Sequence, residues 1–292
     1  MIEIKELCSL VASDRAARRV SLLCAPELWS RALDLLVASS SLAIVTGFYV
    51  PSADAPETDG PSGAVVLGRA LARSKRNVTL FTDPLCYSVV KAASQAINGP
   101  DVVAVSTSEE ILASDFFDAF VYIERLGKNS SGCYHNMRGK DISQWTAPLD
   151  DAVTHALKNK VSVLAVGDGG NEAGMGVFFP ELSRLLPEFK DSLSIVSADV
   201  TLPVDVSSWG GYALAALLSL YESQWLGQTF EEEEKLLAAL YEAGAVDGVT
   251  KKRELSIDSF PLDVHIRIVE SLYNWWRKSM NLKEERASGV FQ

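Results

Sequence analysis

The feature that most constrains this chain is an alternation. Short runs rich in valine and isoleucine take turns with amphipathic stretches over roughly its first two-thirds. The runs are LAIVTGFYV (42–50), NVTLFTD (77–83), DVVAVS (101–106), AFVYIER (119–125), VSVLAVGD (161–168) and SLSIVSADV (192–200). Their nearly continuous apolar character suits strands covered on both faces, as in a parallel sheet. Between them SGAVVLGRALARS (62–74), PLCYSVVKAASQAI (84–97) and LDDAVTHALKNK (149–160) read as helices. Strand–helix alternation of this kind predicts an α/β fold, a Rossmann-like three-layer sandwich with a mostly parallel sheet.

The flanks read as helical. Residues 3–40 do so, with Pro26 and Glu27 placed as a first-turn proline and acid would be. Beyond residue 205 the helical stretches are 209–225, 230–244 and 261–281. No repeat, low-complexity tract or linker breaks the chain. The expectation is therefore a single α/β domain over 1–292, with N-terminal helices (1–40), a sheet core (41–205) and a helical C-terminal part (206–292).

Composition excludes several function classes. A net charge of −11 argues against a nucleic-acid groove or an anionic membrane surface as partner. The four cysteines are scattered, with no C-x-x-C, which fits reduced thiols better than a zinc ribbon or a disulfide framework. No signal-peptide pattern opens the chain, and no stretch reaches the ~20 apolar residues of a membrane span. The expected location is cytoplasmic. The Trp-bearing C-terminal helices either finish the core, the commoner outcome, or offer a homodimer face.

In an open parallel sheet, ligands bind outside the carboxyl ends of the strands, near the point where strand order reverses. Five of the six expected strands deliver a carboxylate there: Asp59, Asp83, Glu124, Asp168 and Asp199. Such a gathering is costly unless a cation compensates it, and hard oxygen ligands suit Mg²⁺, Mn²⁺ or Ca²⁺ rather than Zn²⁺. The strongest single signal is GDGGNEAGMG (167–176), five glycines wrapped around Asp168, Asn171 and Glu172. Glu172 stands where a dinucleotide fingerprint needs its third glycine, and no P-loop, G-x-S-x-G or H-E-x-x-H pattern occurs. Bland readings compete. Asp83, before Pro84, reads better as a helix cap. FEEEEK (230–235) reads as a solvated helix start, Trp275 and Trp276 as packing, and His155 as an exposed helix residue.

Several blocks in order, TDGPSGAVVLGRAL, ERLGKNSSGCYHNMRGKDIS, VGDGGNEAGMG, SADVTLPVDVSSWGGYAL and EAGAVDGVTKKRELSIDSFPLDVH, resemble the D-glutamate cyclase-like family. Animal members of that family carry the unit as the C-terminal part of a longer mitochondrial protein. The resemblance implies a Rossmann-like fold, conversion of D-glutamate to 5-oxo-D-proline plus water, and a divalent metal, Mn²⁺ or Mg²⁺. It implies metal ligands at Asp59, Asp168, Glu172 and Asp199, the last in a block reading ADV where relatives tend to have ADH. It assigns chemistry to Glu172, Glu124 and Asp168. Binding of a small anionic metabolite falls to Thr58, Gly60, Arg125, Asn136, Arg138, Gly169, Gly170 and Asn171. In this reading the metal polarises the γ-carboxylate, Glu124 or Glu172 shuttles the proton, and Arg125 or Arg138 grips the α-carboxylate. The same groups would serve a manganese-dependent phosphatase acting on a small phosphorylated metabolite. The lack of an obvious nucleophile leaves a third class, a metabolite or metal sensor.

Overall fold

The computed structural model describes residues 2–287; Met1 and 288–292, the ends of the expected terminal helical parts, lie outside it. Six strands form the main sheet: β1 (Ser41–Thr46), β2 (Asn77–Thr82), β3 (Val102–Ala104), β4 (Ala119–Ile123), β5 (Ser162–Gly167) and β6 (Val200–Pro203). Their order is β3-β2-β1-β4-β5-β6 and every pairing is parallel. The order reverses between β1 and β4, so the crevice above that pair is where the fold places a ligand.

Alternate side chains of each strand enter different cores. Leu42 and Ile44 of β1, with Val121 of β4, face a large helical layer, whereas Ala43, Val45, Phe120 and Tyr122 face a thinner one. The large layer contains α1 (Ile2–Val11), α2 (Pro26–Ala38), α3 (Pro61–Arg73), α4 (Tyr87–Ala96) and the C-terminal helices. The thin layer is built from α5 (Ser108–Ser114) and α6 (Asp151–Lys158). Both faces of the central strands are thus dry, which is why their sequences lack a polar alternation. The sandwich matches the sequence expectation, and the sheet is parallel throughout.

Two strands are shorter than the sequence predicts. The first ends at Thr46 because Gly47 adopts φ +111°, and the chain then makes a small hairpin of Tyr49–Val50 and Ala55–Pro56. The sixth begins at Val200, not 192: Pro187–Ser192 is a 3-10 turn, Leu193 packs with Met175 and Leu182, and Ile195 is exposed. That displacement moves Asp199 from the end of a strand to the start of one. At the N-terminus, the expected run of helix is broken by a loop that carries a 3-10 turn at Val20–Leu23.

After α7 (Phe179–Leu185), the helices α8 (Ser207–Glu222), α9 (Phe230–Glu242) and α10 (Leu262–Ala287) complete the large layer. α3 and α8 meet backbone to backbone. A Cβ on Gly63 would lie 2.6 Å from Ser208 Cα, and one on Gly211 would lie 2.5 Å from the Gly63 carbonyl oxygen. This contact brings the N-termini of both helices to the β1/β4 crevice. α9 opens with a capping box on Thr229, but its acidic start is not wholly solvated. Glu233 is fully buried and accepts hydrogen bonds from Tyr212 Oη (3.0 Å) and Gln228 Nε2 (3.1 Å); burial pushes its pKa up to about 7. No described helix is long and apolar enough to cross a membrane.

Candidate active site

Three carboxylates meet above the crevice. Asp59 precedes α3, Glu124 follows β4 and Asp168 follows β5; one oxygen of each lies within 4.8 Å of the others, and all three residues are buried. Asp59 is fixed by backbone amides: Gly60 N (2.8 Å) and Ser208 N (2.8 Å) donate to Oδ1, and Ser207 N (3.0 Å) donates to Oδ2. Two of those donors belong to the first turn of α8, where the helix favours negative charge. Gly60 sits at φ +95°, and a Cβ there would fall 2.7 Å from Glu124 Cβ. Glu124 itself has φ +47°, uncommon for a residue with a side chain. Its Oε2 accepts from Ser207 Oγ at 2.6 Å.

Ser207 therefore touches all three acids, because its amide also donates to Asp168 Oδ2 at 3.2 Å. Burial is the main reason that all three pKa values are raised, and mutual repulsion adds to it. Asp59 is pushed up to about 6, by burial and then by Asp258, against the lowering effect of Ser208. Glu124 is raised by burial, then by Glu172, Glu57 and Asp59. Asp168 is raised by burial and by Glu124, although the Arg18 guanidinium beside it pulls the other way. Three hard oxygen donors within 4.8 Å of one another, incompletely neutralised, match the donor set of Mg²⁺ or Mn²⁺.

The glycine loop has a different job from the one expected for it. Glu172 does not join the cluster. Its Oε1 accepts from the amides of Asp168 (3.0 Å) and Gly169 (2.6 Å), and its Oε2 from Gly170 (2.7 Å). The carboxylate closes the loop from inside and so corrects the expectation of a metal ligand or proton carrier at this position. The Gly169 and Gly170 amides are thereby engaged and do not face a ligand. Asn171 lines the cavity but directs Nδ2 to the His135 carbonyl (2.9 Å).

Arg125 is also corrected. It is 1% exposed, and its guanidinium bonds Asp83 Oδ2 (2.5 Å), the Gly47 carbonyl (2.9 Å) and the Ala147 carbonyl (2.6 Å). It ties three loops together and cannot grip a substrate from there. Asp83, whose other oxygen accepts from Cys86 N (3.0 Å), belongs to that knot. Asp199 lies at the opposite edge of the sheet, where Oδ2 accepts from Val163 N (2.9 Å) at the start of β5. It cannot share an ion with Asp168, which follows the other end of the same strand. Thr58 and Gly60 stand beside Asp59 beneath the cavity, and the Thr58 hydroxyl is buried without a hydrogen bond.

The cluster opens into a cavity of about 270 Å³, which Glu124 and Asp168 line directly. Asn136 and Arg138 form part of its rim; Asn136 Oδ1 accepts the amides of Arg138 (3.0 Å) and Lys140 (3.1 Å), and the exposed Arg138 side chain donates through Nη2 to the Val249 carbonyl (3.4 Å). Sequence reasoning missed Arg18, Glu57, Lys251 and Asp258, which also line it. Arg18 pairs with Asp168 through Nη1 and with Asp258 Oδ2 through Nη2 (2.8 Å). It stands on the loop between α1 and α2, which Asp205 holds by accepting Ser13 N (3.0 Å) and Asp14 N (2.8 Å). Lys251 and Asp258 come from the segment between α9 and α10. Asp247 knots that segment, accepting Val249 N, Thr250 N, Ser256 Oγ and Ser259 N at 2.6–2.8 Å. The available signals were SSWGG for Ser207 and the VDGVTKK…SIDSF block for Lys251 and Asp258. Arg18 falls within residues 3–40, which the sequence predicts as helix.

Comparison with known proteins agrees with the sequence blocks. Residues 7–273 match the family model described as D-glutamate cyclase-like, C-terminal. The chain is 31% identical over 316 aligned positions to the human protein named D-glutamate cyclase, mitochondrial, covering 92% of this chain and 51% of that one. It thus spans about half the length of that relative. A solved structure, an exopolyphosphatase-related protein from Bacteroides fragilis, aligns with 89% of this chain and 62% of its own at a TM-score of 0.43 and 9% identity, a likeness too slight to bear on function.

Proposed function

The chain belongs to the D-glutamate cyclase-like family, and from that premise we propose that its cavity converts D-glutamate to 5-oxo-D-proline and water. The observation that carries this reading is the convergence of Asp59, Glu124 and Asp168 on a small cavity whose rim bears Arg138 and Lys251. A compact substrate with carboxylates at both ends needs cationic groups at the rim and a polarising centre at the floor.

Asp59, Glu124 and Asp168 would hold the divalent cation. When bound, it supplies Lewis-acid polarisation of the γ-carboxylate. The remaining work falls to the chain. Arg138 and Lys251 orient the substrate by its carboxylates. Glu124 lines the cavity wall and is the carboxyl placed to move a proton there; burial raises its pKa. The α-ammonium gives up one proton to become the attacking amine, which adds to the carboxyl carbon of the γ-carboxylate. A C–N bond forms, a second proton leaves the nitrogen, the C–O bond breaks, and the departing oxygen carries both protons away as water. Arg18 keeps Asp168 turned towards the floor through its ion pair.

The test is direct. Purified protein is incubated with D-glutamate, with and without Mn²⁺, and 5-oxo-D-proline is quantified by chiral chromatography. Product that appears with Mn²⁺ and is lost in Asp168→Asn supports the reading. Absence of product, or phosphate release from a phosphomonoester panel in its place, overturns it.

A further inference from the structure

Glu57 is an anomaly in the cavity wall. It is 7% exposed and lines the cavity, yet its carboxylate makes no hydrogen bond or ion pair with any described residue. The nearby cations, Arg18 and Lys251, act on it only through space: Arg18 bonds Asp168 and Asp258, and the Lys251 ammonium donates to the Gly248 carbonyl. A carboxylate held this way, with burial raising its pKa, takes up a proton or is completed by a group that enters the cavity it lines.

Asp258 is its neighbour. Asp258 stands in the tight turn between Ser256–Ile257 and Phe260–Pro261, where it and Ser259 both adopt positive φ (53° and 65°). Its Oδ2 is engaged by Arg18, and its Oδ1 lies on the Glu57 side. The Cα–Cβ direction of Gly248 marks the place: a Cβ there would be 2.3 Å from Glu57 Oε2 and 3.7 Å from Asp258 Oδ1. Both carboxylates therefore flank one face of Gly248, and only the missing side chain lets Glu57 occupy its position. The pair adjoins the Asp59–Glu124–Asp168 group without joining it, and Arg18 spans Asp168 and Asp258 between the two.

The geometry points to a subsite for a primary ammonium group, formed by Glu57 and Asp258 with Gly248 as its spacer. Resting on the cyclase reading, it assigns the α-amine of the substrate to this wall and the carboxylates to Arg138 and Lys251. The cavity would then select amino dicarboxylates over dicarboxylates that lack the amine.

Calorimetric titration with D-glutamate and with glutarate, its amine-free counterpart, tests this on the full chain. Wild type should prefer D-glutamate by roughly 10-fold or more, the worth of a charge-assisted hydrogen bond. Glu57→Gln should erase the preference while glutarate binding stays unchanged. Gly248→Ala, which displaces only the mobile end of Glu57, should do the same and guards against a folding defect in the first variant. Equal binding of both probes by wild type, binding of neither, or a preference that survives both substitutions would overturn the subsite. Product formation separates the two ideas. Turnover with an intact preference in Glu57→Gln sinks the subsite alone. A preference that Glu57→Gln abolishes, without any 5-oxo-D-proline from wild type, sinks the cyclase reading alone.

Discussion

The two edges of the sheet both carry acids and use them in opposite ways. At the amino edge, Asp118 accepts Ser40 N (2.8 Å) and Ser41 N (3.1 Å) before β1, and Asp199 accepts Val163 N (2.9 Å) at β5. Parallel strands begin with free amides, so an acid there finds its donors at once and stays single. At the carboxyl edge the strand termini present carbonyls instead. Acids arriving there must find amides in loops or helix starts, and Asp59, Glu124 and Asp168 share a handful, chiefly through Ser207. The amino edge saturates its charge; the carboxyl edge, Asp83 with its Arg125 partner aside, accumulates it. Accumulated charge is the kind that can recruit a cation.

The largest effect that would sharpen this contrast is on turnover. Glu124→Gln should lower the rate of 5-oxo-D-proline formation by roughly 10²–10⁴-fold with the fold intact, as expected for loss of a proton-transferring group. A variant with undiminished rate would break the assignment of chemistry to the carboxyl edge.

Next comes stability within the glycine loop. Glu172→Ala leaves three inward-facing amides unpaired and should cost roughly 3 kcal/mol or more in a urea melt. A neutral result would mean that the loop stands without its internal acceptor.

The pH response follows from the raised pKa values. Asp59, pushed up to about 6, keeps a proton in the folded state that the unfolded chain has released above about pH 4. Its contribution to stability is fully present below that range and is lost as pH rises through about 6. A divalent ion should therefore matter most at high pH. Saturating Mn²⁺ should raise the melting temperature by roughly 5–10 °C at pH 8 and far less at pH 5. Asp168→Asn should flatten that difference, whereas a response equal at both pH values would contradict it.

The smallest effect belongs to the amino edge. Asp199→Ala should cost about 1 kcal/mol by loss of one hydrogen bond, leaving turnover and the Mn²⁺ response unchanged. A loss of Mn²⁺ response there would erase the distinction between the edges.

Much of this was legible in the chain itself. Valine- and isoleucine-rich runs announce a buried parallel sheet because period and composition are local properties, and Asp59, Glu124 and Asp168 follow from a rule about strand ends. What stayed hidden depends on direction. Asp168 and Glu172 lie four residues apart in one loop, yet one faces the cavity and the other turns back onto its own backbone. Arg125 adjoins Glu124 but points into the knot with Asp83. Asp199 was misplaced because an extended apolar stretch packed as loop rather than strand. Glu57 gave no signal, since only the hole left by Gly248 distinguishes it from an ordinary surface acid.

A practical lesson follows from the tether between Asp205 and the segment at Ser13 and Asp14. Residues before 41 supply no strand, so a dissection guided by the sheet alone would discard them as packaging. The trimmed protein would lose the core side chains of α1 and α2, Trp29 and Leu36 among them, and its cavity would be unroofed as well, because Arg18 leaves with the excised piece. Boundaries for expression or for grafting this unit elsewhere are better drawn around that clasp than around the secondary structure.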